Sequence, residues 1–238
     1  ERLSTGSRIN YSRDDAAGLA IATRLNSEVQ SLSAASRNAA DAQSMLDTTD
    51  GALAETHSVL IRMRELAVQA ANGTLDDTDR AALDAEFQQL ESEIDRINSN
   101  TSFAGVSLFD GSAKTFHIGT GNAVSDKVSH TFTSLASHNL DLDSAGPNNV
   151  VGGTTTDDVV RDLTSAANAQ TMLGEIDAAI ATVSTERGKL GALSNRLSST
   201  VANLDQIGVN LSSSKGRIQD ADFAAETSNL AKGQILQQ

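Results

Sequence analysis

A seven-residue apolar repeat across residues 14–72 constrains the fold of this chain more than any other feature. The stretch contains no proline, and one row of apolar residues recurs at Leu25, Leu32, Ala39, Leu46, Leu53, Leu60 and Ala67. Such a row is the seam of a coiled coil, so we expect one long helix packed against a partner helix. A companion row that begins at Ile21 and Glu28 is small or polar in places, which favours close approach of the partner.

The C-terminal part of the chain carries a matching seam. A helix is predicted from about Ala166, and from Ile176 to Ile218 mostly apolar residues recur at alternating steps of four and three. A shorter helix is predicted between the two seams from its apolar stripe, Leu83, Phe87, Leu90, Ile94 and Ile97. Before it, Gly73 is expected to end the first helix in the left-handed conformation, and a residue of the acidic stretch 76–79 is expected to cap the next helix.

The middle of the chain has a different character, rich in Gly, Asn, Ser and Thr. Two short strands are predicted at 115–119 and 127–132 around a glycine-containing turn, and residues 141–158, which contain the single proline, are predicted to form an exposed loop. His117 and His130 could lie opposite each other in this hairpin.

Together these patterns predict a mainly α fold. We expect an elongated antiparallel helical coiled-coil rod with a small β-hairpin-containing segment at one end. In this organisation, residues 1–103 form the N-terminal half of the rod and 104–165 form the hairpin and a variable outer segment. Residues 166–238 then complete the rod as a long C-terminal helix.

Composition argues against several classes of function. The chain has 18 Lys and Arg against 31 Asp and Glu, a formal net charge of -13, which disfavours nucleic acid and anionic membranes as partners. There is no cysteine, and the four histidines, His57, His117, His130 and His138, are not spaced as metal ligands. No triad, nucleotide loop or metal motif is present. The sequence therefore predicts a structural or interaction protein with no cofactor, and not an enzyme.

Several sequence blocks resemble those of the bacterial flagellin family, in order and with the spacing intact. They are ERLSTGSRIN at 1–10, DDAAGLAIA at 14–22, RMRELAVQAANG at 62–73, EIDRI at 93–97, FAGV at 103–106, LFDG at 108–111, RIQDADFAAE at 217–226 and QILQQ at 234–238. The resemblance implies an extracellular, self-assembling subunit of the flagellar filament that serves motility and is exported by the flagellar type III system. It also implies a homopolymer of flagellin subunits, with an export chaperone, the filament cap and hook-associated proteins as further partners.

The resemblance has two finer implications. Flagellins recognised by the host Toll-like receptor 5 present an Arg, a Leu and a Glu that match Arg62, Leu66 and Glu86 here. We expect the same face to serve packing between filament subunits as its primary role at least as much as it serves receptor binding. Both ends of the chain look cut from something longer, and in this family the extreme terminal helices drive polymerisation, so this chain is expected to be monomeric by itself.

Two alternatives stay open at this point. One is a hook-filament junction protein, which shares the terminal blocks more loosely. The other is a flagellin-like cell-surface polysaccharide-binding protein, which would need a concave aromatic or polar site within residues 104–165. The family resemblance also implies Thr154, Thr155 and Thr156 as sites for O-linked glycans.

Overall fold

The computed structural model describes residues 2–140, 142 and 162–238, and its fold is mainly α-helical with a small β segment, as predicted. The helices are α1 (Arg2–Thr5), α2 (Ala16–Ala70), α3 (Asp77–Asn100), α4 (Ala166–Gln219) and α5 (Phe223–Gln237). The strands are β1 (Ser102–Phe103), β2 (Val106–Ser107), β3 (Ala113–His117) and β4 (Lys127–Thr131), with 3-10 turns at Val124–Asp126 and Ser137–Leu140. Apart from Leu142, which is buried, the predicted loop 141–158 with Thr154, Thr155 and Thr156 lies outside the described residues.

The described chain divides into two compact units, and the long helices α2 and α4 contribute to both. Unit 1 contains the residues up to Asp41 together with Phe116–Val128 and Arg196–Gln238. Unit 2 contains Ala42–Thr115 and the described part of Ser129–Asn195. The division into 1–103, 104–165 and 166–238 follows chain order instead, and it stays a prediction.

The predicted seams form the core of unit 2. The first row is buried at Leu46, Leu53, Leu60 and Ala67, and the companion row is buried at Ala42, Thr49, Thr56 and Met63. The two threonines remain satisfied because their hydroxyls donate to the carbonyl oxygens of Met45 (2.8 Å) and Ala52 (3.0 Å). The buried partners come from α3, with Phe87 and Ile94, and from α4, with Met172, Ile176, Ala179, Val183 and Leu190.

Polar pairs between α2 and α4 fix the antiparallel register within each unit. In unit 2, Arg64 Nε lies 2.7 Å from Asp177 Oδ1 and Arg187 Nε lies 2.8 Å from Asp50 Oδ1. In unit 1, Lys215 Nζ donates to Asn26 Oδ1 at 2.7 Å. Each exposed ion pair contributes only about 0.2–1 kcal/mol, so the buried rows hold the helices together and the pairs set their alignment.

Unit 1 also pairs the two ends of the described chain. Ser7 and Asp220 form an antiparallel bridge, in which the Arg8 amide donates to the Gln219 carbonyl at 2.7 Å. Ile9 is buried beside Gly18 of α2, where an added Cβ would approach the Ile9 Cδ1 atom to 2.6 Å. Glycine at position 18 therefore makes room for the N-terminal segment.

The predicted hairpin is present as β3 and β4. In unit 2, the hydroxyls of Thr115 and Ser129 are 2.9 Å apart, and in unit 1 the Ile118 amide donates to the Asp126 carbonyl at 2.8 Å. This register does not place His117 opposite His130, so that possibility is wrong. The His130 Nε2 atom instead lies 2.9 Å from Oε1 of the buried Glu186 on α4, which anchors the hairpin within unit 2.

The turn between α2 and α3 differs from the prediction in one respect. Gly73 does not have a positive φ, so its predicted left-handed role is wrong. The buried guanidinium of Arg80 caps α2 instead, donating to the carbonyl oxygens of Ala70 and Asn72 at 3.0 Å each. The predicted acidic cap of α3 is confirmed, because Asp76 Oδ1 accepts from the Asp79 amide at 2.8 Å.

Candidate interaction surface

The side of α2 opposite the seams in unit 2 forms an exposed surface, which we call the α2 outer face and define as Ile61, Arg62, Arg64, Glu65 and Val68. It exists because the buried rows use the other side of the helix, which leaves these positions toward solvent. Ile61 and Val68 are 44% and 50% exposed although both are large and apolar. Since they are seven residues apart, they lie in one row of the face.

Arg62 is held in place on one flank of this face. Its Nη2 and Nε atoms lie 2.7 Å and 3.0 Å from Glu86 Oε1 on α3, and its Nη1 atom lies 3.0 Å from Glu65 Oε2. The hydrogen bond to Glu86 is the main cause that raises the pKa of the Arg62 guanidinium above its ordinary value. The structure therefore brings together two of the predicted site residues, Arg62 and Glu86, and leaves both about half exposed.

Leu66, the third predicted residue, lies elsewhere. Its side chain is 1% exposed and belongs to the core of unit 2. It is one helical turn from Arg62, so it supports the backbone beneath the exposed pair. In the described structure the three predicted residues thus divide into an exposed charged pair and a buried anchor.

Sequence reasoning did not single out the other residues of the α2 outer face. On the flank away from Glu86, Arg64 Nε lies 2.7 Å from Asp177 Oδ1, and this hydrogen bond is the main cause that lowers the pKa of the Asp177 carboxyl. On the surface of the helix, the side chains of Ile61 and Val68 lie between those of Arg62 and Arg64. A signal was available in the sequence, because both are large apolar residues at positions that the heptad rows leave outside the seam.

A second apolar surface lies on α5 in unit 1. Phe223, Leu230, Ile235 and Leu236 are 54%, 51%, 72% and 77% exposed, and no residue of α5 is buried. The helix is nonetheless well capped, since Asp222 Oδ1 accepts from the amides of Ala224 (2.9 Å) and Ala225 (3.3 Å). Phe223 and Leu230 are seven residues apart and so lie on one side of α5, and we call these two side chains the α5 apolar face. Ile235 and Leu236 point to other sides of the helix.

The α2 outer face combines exposed apolar side chains with charged pairs, and the α5 apolar face adds further apolar area. Surfaces with these features are typical of binding sites for other macromolecules. Across residues 2–140 and 162–238, no group of three His, Asp or Glu side chains is placed to hold a metal ion. No helix in the described part of the chain is long and apolar enough to cross a membrane.

Two family models match the chain. The bacterial flagellin N-terminal helical region matches residues 1–114, and the bacterial flagellin C-terminal helical region matches residues 173–238. The chain is 40% identical to a flagellin of Halalkalibacterium halodurans over 238 residues, which is all of this chain and 82% of that protein.

Solved structures agree with these matches. The crystal structure of Bacillus cereus flagellin aligns with a TM-score of 0.55 at 32% identity, covering 71% of this chain and 88% of that one. A putative flagellar hook-associated protein from Vibrio parahaemolyticus aligns with a TM-score of 0.69 over 87% of this chain and 100% of that one. At 17% identity, the second likeness concerns the fold alone.

Proposed function

The chain belongs to the bacterial flagellin family, and from this premise we propose that it is a structural subunit that assembles with copies of itself into the flagellar filament. This role is structural and not enzymatic. It places the protein outside the cell, after export by the flagellar type III system with its chaperone. It also gives the protein the filament cap and hook-associated proteins as neighbours in the assembled flagellum.

The observation that carries this proposal is the exposure of the α5 apolar face. Phe223 and Leu230 of this face are about half exposed within the described chain, and Ile235 and Leu236 on other sides of the same 15-residue helix are exposed as well. Fully burying one such side chain contributes about 1.5–3 kcal/mol, so covering this face against other subunits provides a strong drive for assembly.

A charge placed on the α5 apolar face is expected to prevent assembly. The experiment extends the chain with the terminal segments of the H. halodurans relative and expresses it as the sole flagellin of a bacterium without its own. Leu230→Asp in this extended chain should abolish filaments and swimming, because an ionised carboxylate is costly to bury without a partner. The measurement is motility in soft agar together with counts of filaments per cell.

Val124→Asp provides the matched control, since Val124 is 89% exposed in unit 1 and lies outside α5. This variant is expected to swim as the parent does. Normal filaments from the Leu230→Asp chain would show that the α5 apolar face is not an assembly surface.

We also propose that the α2 outer face contacts Toll-like receptor 5. Arg62 and Glu86 support this role because they are exposed and already hydrogen-bonded to each other, so little side-chain entropy is lost when a partner binds. The buried Leu66 acts from beneath, by holding the helix that carries Arg62. Packing between subunits through the same face is compatible with this role, with the receptor binding a surface that serves assembly.

Arg62→Ala is expected to weaken receptor activation at least about tenfold, the effect of losing about 1.4 kcal/mol at an arginine anchor. The measurement is the concentration for half-maximal activation of receptor-expressing reporter cells. Arg64→Ala is the matched control, because Arg64 lies two residues away, is about equally exposed, and pairs with Asp177 on the other flank. Equal activation by the parent and the Arg62→Ala chain would contradict the receptor role.

A further inference from the structure

The turn that follows α2 contains a solvent-exposed and reactive dipeptide. Asn72 and Gly73 form the one Asn-Gly sequence in the chain, and both residues are exposed between the end of α2 at Ala70 and the start of α3 at Asp77. We propose that Asn72 is a site of spontaneous modification, at which its side-chain amide is converted to an aspartyl or isoaspartyl group through cyclisation with Gly73.

The reaction needs a backbone amide that is free to act as the nucleophile. Within the described residues, the Gly73 N–H donates no hydrogen bond, whereas the neighbouring amides of Asn72 and Leu75 donate to Gln69 and Asn72 carbonyls. Gly73 also has no side chain, and apart from its chain neighbours no heavy atom lies within 4 Å of the position where its Cβ would be. The nitrogen of Gly73 is therefore not hydrogen-bonded, and the space beside its Cα is open.

The reaction also needs the Asn72 side chain to fold back over the following peptide. The Thr74 amide donates to Asn72 Oδ1 at 3.3 Å, which curls the carboxamide across the Asn72–Gly73 peptide bond. This hydrogen bond holds the side-chain carboxamide over the segment that contains the Gly73 nitrogen.

The chemistry is complete with water as the co-reactant. The Gly73 nitrogen attacks Cγ and loses its proton, the bond between Cγ and Nδ2 breaks, and ammonia leaves from a five-membered imide. Water then opens either carbonyl of the imide. One opening gives aspartate, and the other gives isoaspartate, in which the main chain runs through the former side chain. In both cases the residue gains one mass unit and one negative charge.

The buried side of the turn gives the modification a structural consequence. The Asn72 carbonyl accepts a hydrogen bond from Arg80 Nη2 at 3.0 Å, as part of the cap on α2. In isoaspartate the main chain runs through Cβ and Cγ, and the carbonyl that accepts from Arg80 becomes part of the free α-carboxylate. An aged chain would thus carry a new negative charge beside the Arg80 guanidinium, in the cap at the end of the helix that bears the α2 outer face.

A helical asparagine provides the internal control. Asn26 precedes Ser27 within α2, where the backbone amides are bonded to carbonyls four residues earlier, and Asn26 Oδ1 also accepts from Lys215. Cyclisation there requires local opening of the helix. An opening cost of only about 1.4 kcal/mol already slows the reaction about tenfold.

The test is a time course of the folded chain and of the chain in denaturant at mildly alkaline pH, with peptide mapping by mass spectrometry. Unfolding should accelerate modification of Asn26 at least about tenfold and leave the rate at Asn72 nearly unchanged. Part of the product at Asn72 should be a substrate for protein isoaspartyl methyltransferase. Gly73→Ser, which gives position 72 the same neighbour as Asn26 has, should slow the reaction at Asn72.

Two results would overturn the proposal. One is that unfolding accelerates Asn72 and Asn26 by the same factor, which would mean that the native turn protects Asn72. The other is a gain of one mass unit at Asn72 with aspartate as the sole product, which would point to direct hydrolysis without the imide.

Discussion

Replacing Phe87 with alanine is expected to lower the free energy of unfolding by about 3–5 kcal/mol. Phe87 is 0% exposed and lies on α3 within the core of unit 2. Truncation removes the transfer free energy of the ring and leaves a cavity that the surrounding helices fill only in part.

Phe223→Ala is the matched control for this experiment, because it makes the same chemical change at a side chain that is 54% exposed. The free energy of unfolding should change by no more than about 0.5 kcal/mol in that variant. The measurement is urea unfolding followed by circular dichroism, with the slope against urea compared between variants. Equal losses in the two variants would contradict the assignment of Phe87 to the core.

Arg80→Met is expected to cost about 2–4 kcal/mol, since it removes two charge-assisted hydrogen bonds. The Arg80 side chain is 9% exposed, and its guanidinium donates to the carbonyl oxygens of Ala70 and Asn72. Methionine retains most of the apolar length of the side chain but leaves the end of α2 without its cap. The Ala70 carbonyl then stays buried without that donor.

Arg96→Met controls for loss of charge on the same helix. Arg96 is 59% exposed and pairs with Glu93 one turn earlier, so its replacement should cost no more than about 1 kcal/mol. Urea unfolding of both variants at neutral pH gives the comparison. A loss of less than about 1 kcal/mol for Arg80→Met would show that solvent caps α2 equally well.

The heptad rows predicted the helices well because the rows depend only on local spacing. The first row is buried from Leu32 onward, but Ile21 is 41% exposed and Glu28 is also exposed at the start of the companion row. The reason is the number of available partners. Unit 2 contains α3 in addition to parts of α2 and α4, so both rows are covered there, whereas unit 1 has no third long helix among its described residues.

Two features of the site depended on contacts that sequence spacing does not encode. Leu66 lies beside the two recognised rows, and its burial arises because α3 covers that flank of α2 in unit 2. The cap on α2 comes from Arg80, ten residues beyond the helix end, so a glycine near the end was the more visible signal. In both cases the packing of α3 against α2 determines the result, namely the burial of Leu66 and the capping of α2 by Arg80.

The hydrogen bonds between Arg62 and Glu86 also result from the packing of α3 against α2. The family resemblance singled out both residues by position, and the structure shows that they hydrogen-bond across α2 and α3. The apolar residues Ile61 and Val68 were available in the sequence as exceptions to the heptad rows. Their exposure, together with that of the α5 apolar face, leaves this chain with more apolar surface than its own fold covers.

Electron microscopy of the chain with and without family terminal segments shows whether the protein forms filaments. The chain extended with the terminal segments of the H. halodurans flagellin is incubated with filament seeds, beside the 238-residue chain at the same concentration. We expect long helical filaments from the extended chain and none from the shorter one. Failure of the extended chain to add to the seeds would contradict the role of filament subunit and would favour a junction or surface-binding role.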